Sequence, residues 1–300
     1  MIGKLRLSLA ASVGCLVLGC ALAQAEMTVE DATGTMVEVE DVSRVVSVGG
    51  SLTEIIYALD AQDHLAAVDT TSLYPPQAQE FPNVGYVRAL SAEGVLSLSP
   101  TLILAEEDAG PDGAIEQIRA AGVPMVVVPD DPSVKGMIAK ISLVAALLGR
   151  EARGQELTTR LQGEADALAL RVDQVQDRPR VLFLLHVGSG STLGGGAGTS
   201  ADGIIRLAGG ENALAAMDGF KPVSIEAAVA SEPDVILLTT RTVEMLGGME
   251  AVHDLAQISL TKAGQDGNVV AMDGLLLLGF GPRTVDAASK LHDLLYPGGS

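Results

Sequence analysis

Two stretches of this chain repeat each other. Ser91-Ala-Glu93 is followed by six residues, Pro100 and the apolar run TLIL; Ser224-Ile-Glu226 is followed by six residues, Pro233 and DVILL. In each copy the serine sets the glutamate in the first turn of a short helix, and the proline ends that helix and opens a strand. Between the copies, residues 133–175 run with helical periodicity and no proline: Met137, Ile138, Ile141, Val144, Leu147, Leu148, then Leu157, Leu161 and Leu168. Ser133 is a good N-cap, and so long a stretch is either one helix or two helices broken near Gly149 to Gly154. A duplicated unit on either side of a helical divider implies two lobes of similar topology.

Both lobes read as α/β. Short apolar, β-branched runs at 44–48, 65–68, 102–104 and 125–128 alternate with helical patterns at 52–59 and 113–121. After Pro179 the alternation restarts, with strands at 180–185, 235–239 and 269–272. Helices are expected at 201–208 and 284–295, the latter with Pro282 near its start. Such alternation implies parallel sheets covered on both faces. The expected organisation is a first lobe over 26–132, a linking long helix over 133–175 and a second lobe over 176–300. The fold class is then two Rossmann-like lobes joined by one long α-helix, with a ligand cleft between them.

Residues 1–25 do not belong to either lobe. Lys4 and Arg6 precede an apolar run from Leu7 to Leu22, and Ala23-Gln24-Ala25 gives the small-x-small pattern of a secretory cleavage site. The expected product is a periplasmic protein cleaved after about Ala25. Lipoprotein processing at Cys20 is the alternative, although Leu18 fits a lipobox poorly. Cys15 and Cys20 are the two cysteines of the chain and both lie in this leader. The mature chain therefore has no disulfide, thiolate metal site or cysteine nucleophile.

Removing Lys4 and Arg6 moves the formal charge from −19 to −21. So acidic a chain is a poor partner for nucleic acid or an anionic membrane surface. Enzyme motifs are missing too. Gly188-Ser-Gly190 with Gly194 is not a dinucleotide fingerprint, and the chain has neither a P-loop nor a G-x-S-x-G elbow. His64, His186, His253 and His292 are scattered, with no metal-ligand spacing. With no tryptophan and four phenylalanines, a sugar-stacking cleft is disfavoured. No catalytic residue is assigned, and a monomeric binding protein is expected; the reading from another class is an exported enzyme on a Rossmann-like scaffold.

One tyrosine stands outside any apolar run. Tyr86 lies in NVGYVRALSAEG (83–94), two residues before Arg88 and just ahead of the first repeated helix. This segment, with GTSADGIIRLAGG (198–210), VSIEAAVASEPDVILL (223–238) and LLLLGFGPRT (275–284), resembles the haem-binding periplasmic components of bacterial haem ABC importers. The similarity spans nearly the whole mature chain. Siderophore and cobalamin binders share the two-lobe class and are the alternative ligands.

The resemblance implies that haem is carried as a transported ligand, with Tyr86 as axial iron ligand and Arg88 hydrogen-bonded to the phenolate. Phenols titrate near 10, so ligation needs loss of the proton, which ferric iron drives and a fixed guanidinium favours. Tyrosinate is an established haem ligand. His186 ends a strand of the opposite lobe, where crevice residues are expected; it is either a second iron ligand or a strand-end histidine. Arg241 follows another strand and either meets a haem propionate or stays on the surface. Met245 and Met249 pad the ring or, the preferred reading, pack in the core. Glu93 and Glu226, one per lobe, are implied to reach arginines of an ABC transporter permease; simple helix capping is the other reading.

Overall fold

The apolar runs at the centre of each half pair into parallel sheets. The computed structural model describes residues 27–187 and 192–298; the leader, with both cysteines and the cleavage site, and Gly188–Ser191 of the glycine-rich loop lie outside them. Met27–Glu30 (β1) and Met36–Val39 (β2) form an antiparallel hairpin that the sequence reading did not anticipate. Val45–Val48 (β3), Leu65–Val68 (β4), Leu102–Glu106 (β5) and Met125–Val128 (β6) then form a parallel sheet in the order β4-β3-β5-β6. Gly50–Ala58 (α1), Ala92–Leu96 (α2) and Asp112–Ala120 (α3) are its helices. Apart from Ser47 in β3 and Glu106 at the end of β5, these strands are apolar, because both faces are covered. Val45, Leu102 and Leu104 pack with Leu52 and Ile55 on one side, whereas Val46, Ile103 and Ala105 pack with Val84, Val87 and Ile118 on the other.

The divider is two helices. Val134–Leu147 (α4) starts on Ser133, whose Oγ accepts from Gly136 N at 3.0 Å. It stops at Gly149, which has φ +62°: Gly149 N donates to Ala146 O and Arg150 N to Ala145 O, closing the last turn. Glu151–Val172 (α5) follows and is the single helix that carries the chain to the second lobe. It leaves at an angle that only glycine allows: a Cβ on Gly154 would stand 2.5 Å from Ala145 Cβ of α4.

The second lobe contains Arg180–His186 (β7), Leu193–Gly195 (β8), Ser200–Leu207 (α6), Glu211–Asn212 (β9), Phe220–Pro222 (β10), Ile225–Ala230 (α7) and Val235–Thr239 (β11). Four short helices, Thr240–Met245 (α8), Met249–His253 (α9), Ala256–Ser259 (α10) and Lys262–Gln265 (α11), lead to Val269–Met272 (β12). Gly274–Leu278 (α12) and Thr284–Leu295 (α13) close the fold. The sheet order is β10-β8-β7-β11-β12, with β7, β11 and β12 parallel, β8 antiparallel, and β9 beside β7. The expected class of two α/β lobes joined by a helix is what the chain forms.

The lobes are not independent. One apolar cluster runs from Val45 and Leu52 through Leu157, Leu161 and Leu168 of α5 to Phe183, Ile204, Phe280 and Leu291. Polar groups extend this contact. Arg283 donates from N and Nη2 to the Glu54 carboxylate at 3.2 and 2.7 Å, and its guanidinium lies 3.5 Å from the Tyr74 ring centroid. Lys140, fully buried, donates to Asp130 at 2.5 Å and reaches Ser51 Oγ at 3.4 Å and the Gly279 carbonyl of the second lobe at 3.5 Å. Ser51 in turn donates to Glu106 Oε1 at 2.6 Å. Burial pushes the Glu106 carboxyl up to about 7, against the opposing pull of Lys140 and the Ser51 hydroxyl.

Two outcomes follow from this packing. Gly154→Ala should lower Tm, although alanine is the better helix former: overpacking costs about 1–3 kcal/mol and propensity returns at most about 1 kcal/mol. A thermal melt checks it, and a raised Tm would show that α4 and α5 can part freely. Glu106 binds its proton more tightly folded than unfolded, so wild-type stability falls as pH rises from about 4.5 to about 7. The full penalty, on the order of 3 kcal/mol, is present above that window. Glu106→Gln keeps an acceptor for Ser51 and removes the titration. Its advantage in denaturant melts should grow from pH 5 to 7 and then level off; a constant difference would mean that Glu106 titrates as an ordinary carboxyl.

Candidate ligand-binding cleft

The loops that leave the C-terminal ends of the parallel strands meet across the lobes. A Cβ on Gly50, after β3, would stand 2.8 Å from Leu275 of α12, and one on Gly203 of α6 would stand 2.4 Å from the Pro132 carbonyl after β6. Open α/β sheets place ligands beyond such strand ends.

Tyr86 is built into this edge by the residues around it. Val84 N donates to Val68 O, and Thr70 N to Gly85 O, both at 2.9 Å, which ties the loop to the end of β4. Gly85 has φ +94°, a turn that a side chain resists. Val84, Val87 and Leu90 are buried pegs, so the residues between them face out. Tyr86 is accordingly 42% exposed, unlike a core tyrosine.

Arg88 completes the local geometry. Its Nη1 donates to Tyr86 Oη, and its Nη2 donates to Asp108 Oδ2 on the loop after β5. Burial pulls the guanidinium down, but Asp108 and the Tyr86 phenol together hold it above its ordinary value. The cation is thus held against the phenol oxygen by two partners. The structure brings together the Tyr86 and Arg88 expected from the sequence and adds Asp108, which sequence reasoning missed. Glu106-Glu107-Asp108 looks like a solvated acidic turn, and only its place at a strand end distinguished it.

The residues singled out on the second lobe stand at equivalent strand ends. His186 is the exposed last residue of β7, next to residues outside the described set. Arg241 is exposed on α8, directly after β11, and makes no ion pair or hydrogen bond among the described residues. Met245 corrects the preferred core-packing reading: it is 65% exposed, because α8 is a short surface helix that buries only Thr242. Met249 is partly buried and packs on the second-lobe core. Among the described residues no three His, Cys, Asp or Glu side chains gather into a metal-holding group.

The repeated acidic helices match in detail. Ser91 Oγ accepts from Gly94 N at 3.2 Å and Ser224 Oγ from Ala227 N at 3.1 Å, leaving Glu93 and Glu226 exposed in equivalent first turns. The Glu226 carboxylate is held below its ordinary value by its own backbone N–H and the Ser224 hydroxyl. Each helix ends at a non-glycine residue with positive φ before the proline, Ser99 at +49° and Glu232 at +43°. An arginine from the first strand edge of each lobe grips that end. Arg44 donates to the Leu98 and Ser99 carbonyls, and Arg180 donates from Nε and Nη2 to the Ser231 carbonyl.

Comparison with known proteins agrees with this architecture. The periplasmic heme-binding protein RhuT from Roseiflexus sp. RS-1, in apo form, superimposes with a TM-score of 0.81 at 39% identity, covering 87% of this chain and all of that one. The periplasmic heme-binding protein HutB of Vibrio cholerae gives a TM-score of 0.76 at 35% identity, covering 86% of this chain and all of that one. The vitamin B12-binding protein of Yersinia pestis is 30% identical over 210 residues, 65% of this chain and 69% of that protein. The family model described as periplasmic binding protein matches residues 45–275. With two lobes, one linking helix and a match over most of its length, the chain belongs to the periplasmic binding protein family.

Proposed function

We propose that this chain captures haem in the cleft and delivers it to an ABC transporter permease, without turnover of its own. The observation that carries the reading is the half-exposed Tyr86 phenol with Arg88 donating to its oxygen, on a loop tied to the end of β4. Haem-binding relatives at 35–39% identity over nearly their whole length support the same ligand. Tyr86 would bind ferric iron as the phenolate, and Arg88 would offset the charge that forms on its oxygen. His186, on the second lobe, would supply a second ligand if the iron is six-coordinate, and Arg241 would pair with a propionate. The leader would be removed after about Ala25, leaving a monomer in the periplasm; processing at Cys20 would tether it instead. Cobalamin is the second reading, favoured by the vitamin B12-binding relative.

Tyr86→Phe keeps the ring and removes the oxygen. Hemin affinity should fall at least about tenfold, or about 1.4 kcal/mol. A variant that titrates with hemin like the wild type would remove Tyr86 from the iron.

Glu93 and Glu226 fit contacts to basic residues of a two-lobed permease, since each is exposed on a rigidly capped helix of its own lobe. Each exposed ion pair contributes about 0.2–1 kcal/mol, and more where solvent is excluded. The double variant Glu93→Ala with Glu226→Ala should bind hemin normally but slow uptake in a reconstituted transporter, more than either single variant. Wild-type transport by the double variant would leave the two glutamates as helix caps.

A further inference from the structure

We propose that Asp108 is a positioning residue for the Tyr86 ligand, acting through Arg88; the inference rests on the haem reading of the cleft. Arg88 is a long side chain on an irregular loop, 58% exposed. Left alone, such a side chain samples many rotamers and spends little time on the phenol. Asp108 removes that freedom. The guanidinium is a planar fork: one end nitrogen, Nη2, is held by Asp108 Oδ2, and this aims the other, Nη1, at Tyr86 Oη.

The mounting of Asp108 is rigid enough for this role. Its loop is stitched to the Tyr86–Arg88 loop by two backbone hydrogen bonds, Gly110 N to Val87 O at 2.9 Å and Leu90 N to Gly110 O at 2.8 Å. Ala109 N also donates back to Glu106 O at 3.0 Å, closing the turn that carries Asp108. Two strand-end loops are therefore locked together at the base, with the three side chains bridging them at the tip. The carboxylate also draws on the arginine charge. A residue that only neutralised Arg88 would weaken the phenolate, whereas one that orients it strengthens the ligand, so the two roles have opposite signs.

Two variants separate them. Asp108→Ala removes the acceptor, and Asp108→Asn keeps an acceptor oxygen without the charge. Hemin release to an excess of apomyoglobin, with the phenolate-to-iron charge-transfer band followed in the same samples, is the readout. Asp108→Ala should release hemin about two- to fivefold faster, the range for loss of one half-exposed charge-assisted contact, and shift the band while Tm stays at the wild-type value. Asp108→Asn should stay within about twofold of wild type. Equal release from all three proteins, slower release from either variant, or an Asn variant as fast as the Ala variant overturns the inference. Tyr86→Phe in parallel tells the failures apart. If it releases hemin like the wild type, the haem-ligand reading itself falls; if it loses hemin while Asp108→Ala does not, only the role of Asp108 falls.

Discussion

The apolar cluster along α5 is the constraint on which the cleft depends. Leu157, Leu161, Ala165, Leu168 and Val172 lie on one face of that helix, and residues of both lobes pack on them. A linker that held the lobes only by its ends would leave their spacing free. Here Val45 and Leu52 of the first lobe and Phe183, Ile204 and Leu291 of the second belong to the same buried apolar cluster. Burying a side chain of that size contributes about 1.5–3 kcal/mol, so separating the lobes on this side is costly. The polar contacts of Arg283 with Glu54 and of Lys140 with the Gly279 carbonyl add direction to a contact that apolar packing alone leaves unspecific.

A fixed crevice lets loops at the strand ends carry the chemistry. The strand centres are buried and mostly apolar, and polar groups gather at the C-terminal ends: Asp69 after β4, Glu106 at the end of β5 and Asp108 after it, Asp130 after β6, His186 at the end of β7 and Arg241 after β11. In a chain with a net charge of −19, the arginine beside Tyr86 is a local exception. Its effect depends on being held at one oxygen, because a mobile cation in water is screened within about 10 Å. The same economy appears on the outer ends, where Arg44 and Arg180 lock the helices that bear Glu93 and Glu226.

Much of this was legible in the sequence, and the gaps have physical causes. Strands such as LAAV and MVVV are recognisable because burial on both faces favours apolar residues. The repeat was legible because serine capping and proline stops impose fixed spacing. The stretch from Thr240 to Gln265 was not read as helices, because four segments of four to six residues carry too little periodicity. One long helix and two helices broken near Gly149 to Gly154 were both open from the sequence, since the left-handed turn at Gly149 depends on the crossing of α4 and α5. Lys140 had a visible signal, the one charge in the run from Met137 to Leu148, but its partners come from distant strand ends. Tyr86 and Arg88 were paired through the resemblance of their shared segment to haem binders; Asp108 joins them only through the fold.

Titration of the mature protein with hemin, set against cyanocobalamin, tests the central claim most directly. The expected result is a saturable shift of the Soret band, with a visible phenolate-to-iron charge-transfer band that free hemin lacks, and weak or no uptake of cyanocobalamin. Tight binding of cyanocobalamin, with a hemin spectrum unchanged from that of free hemin, would contradict it.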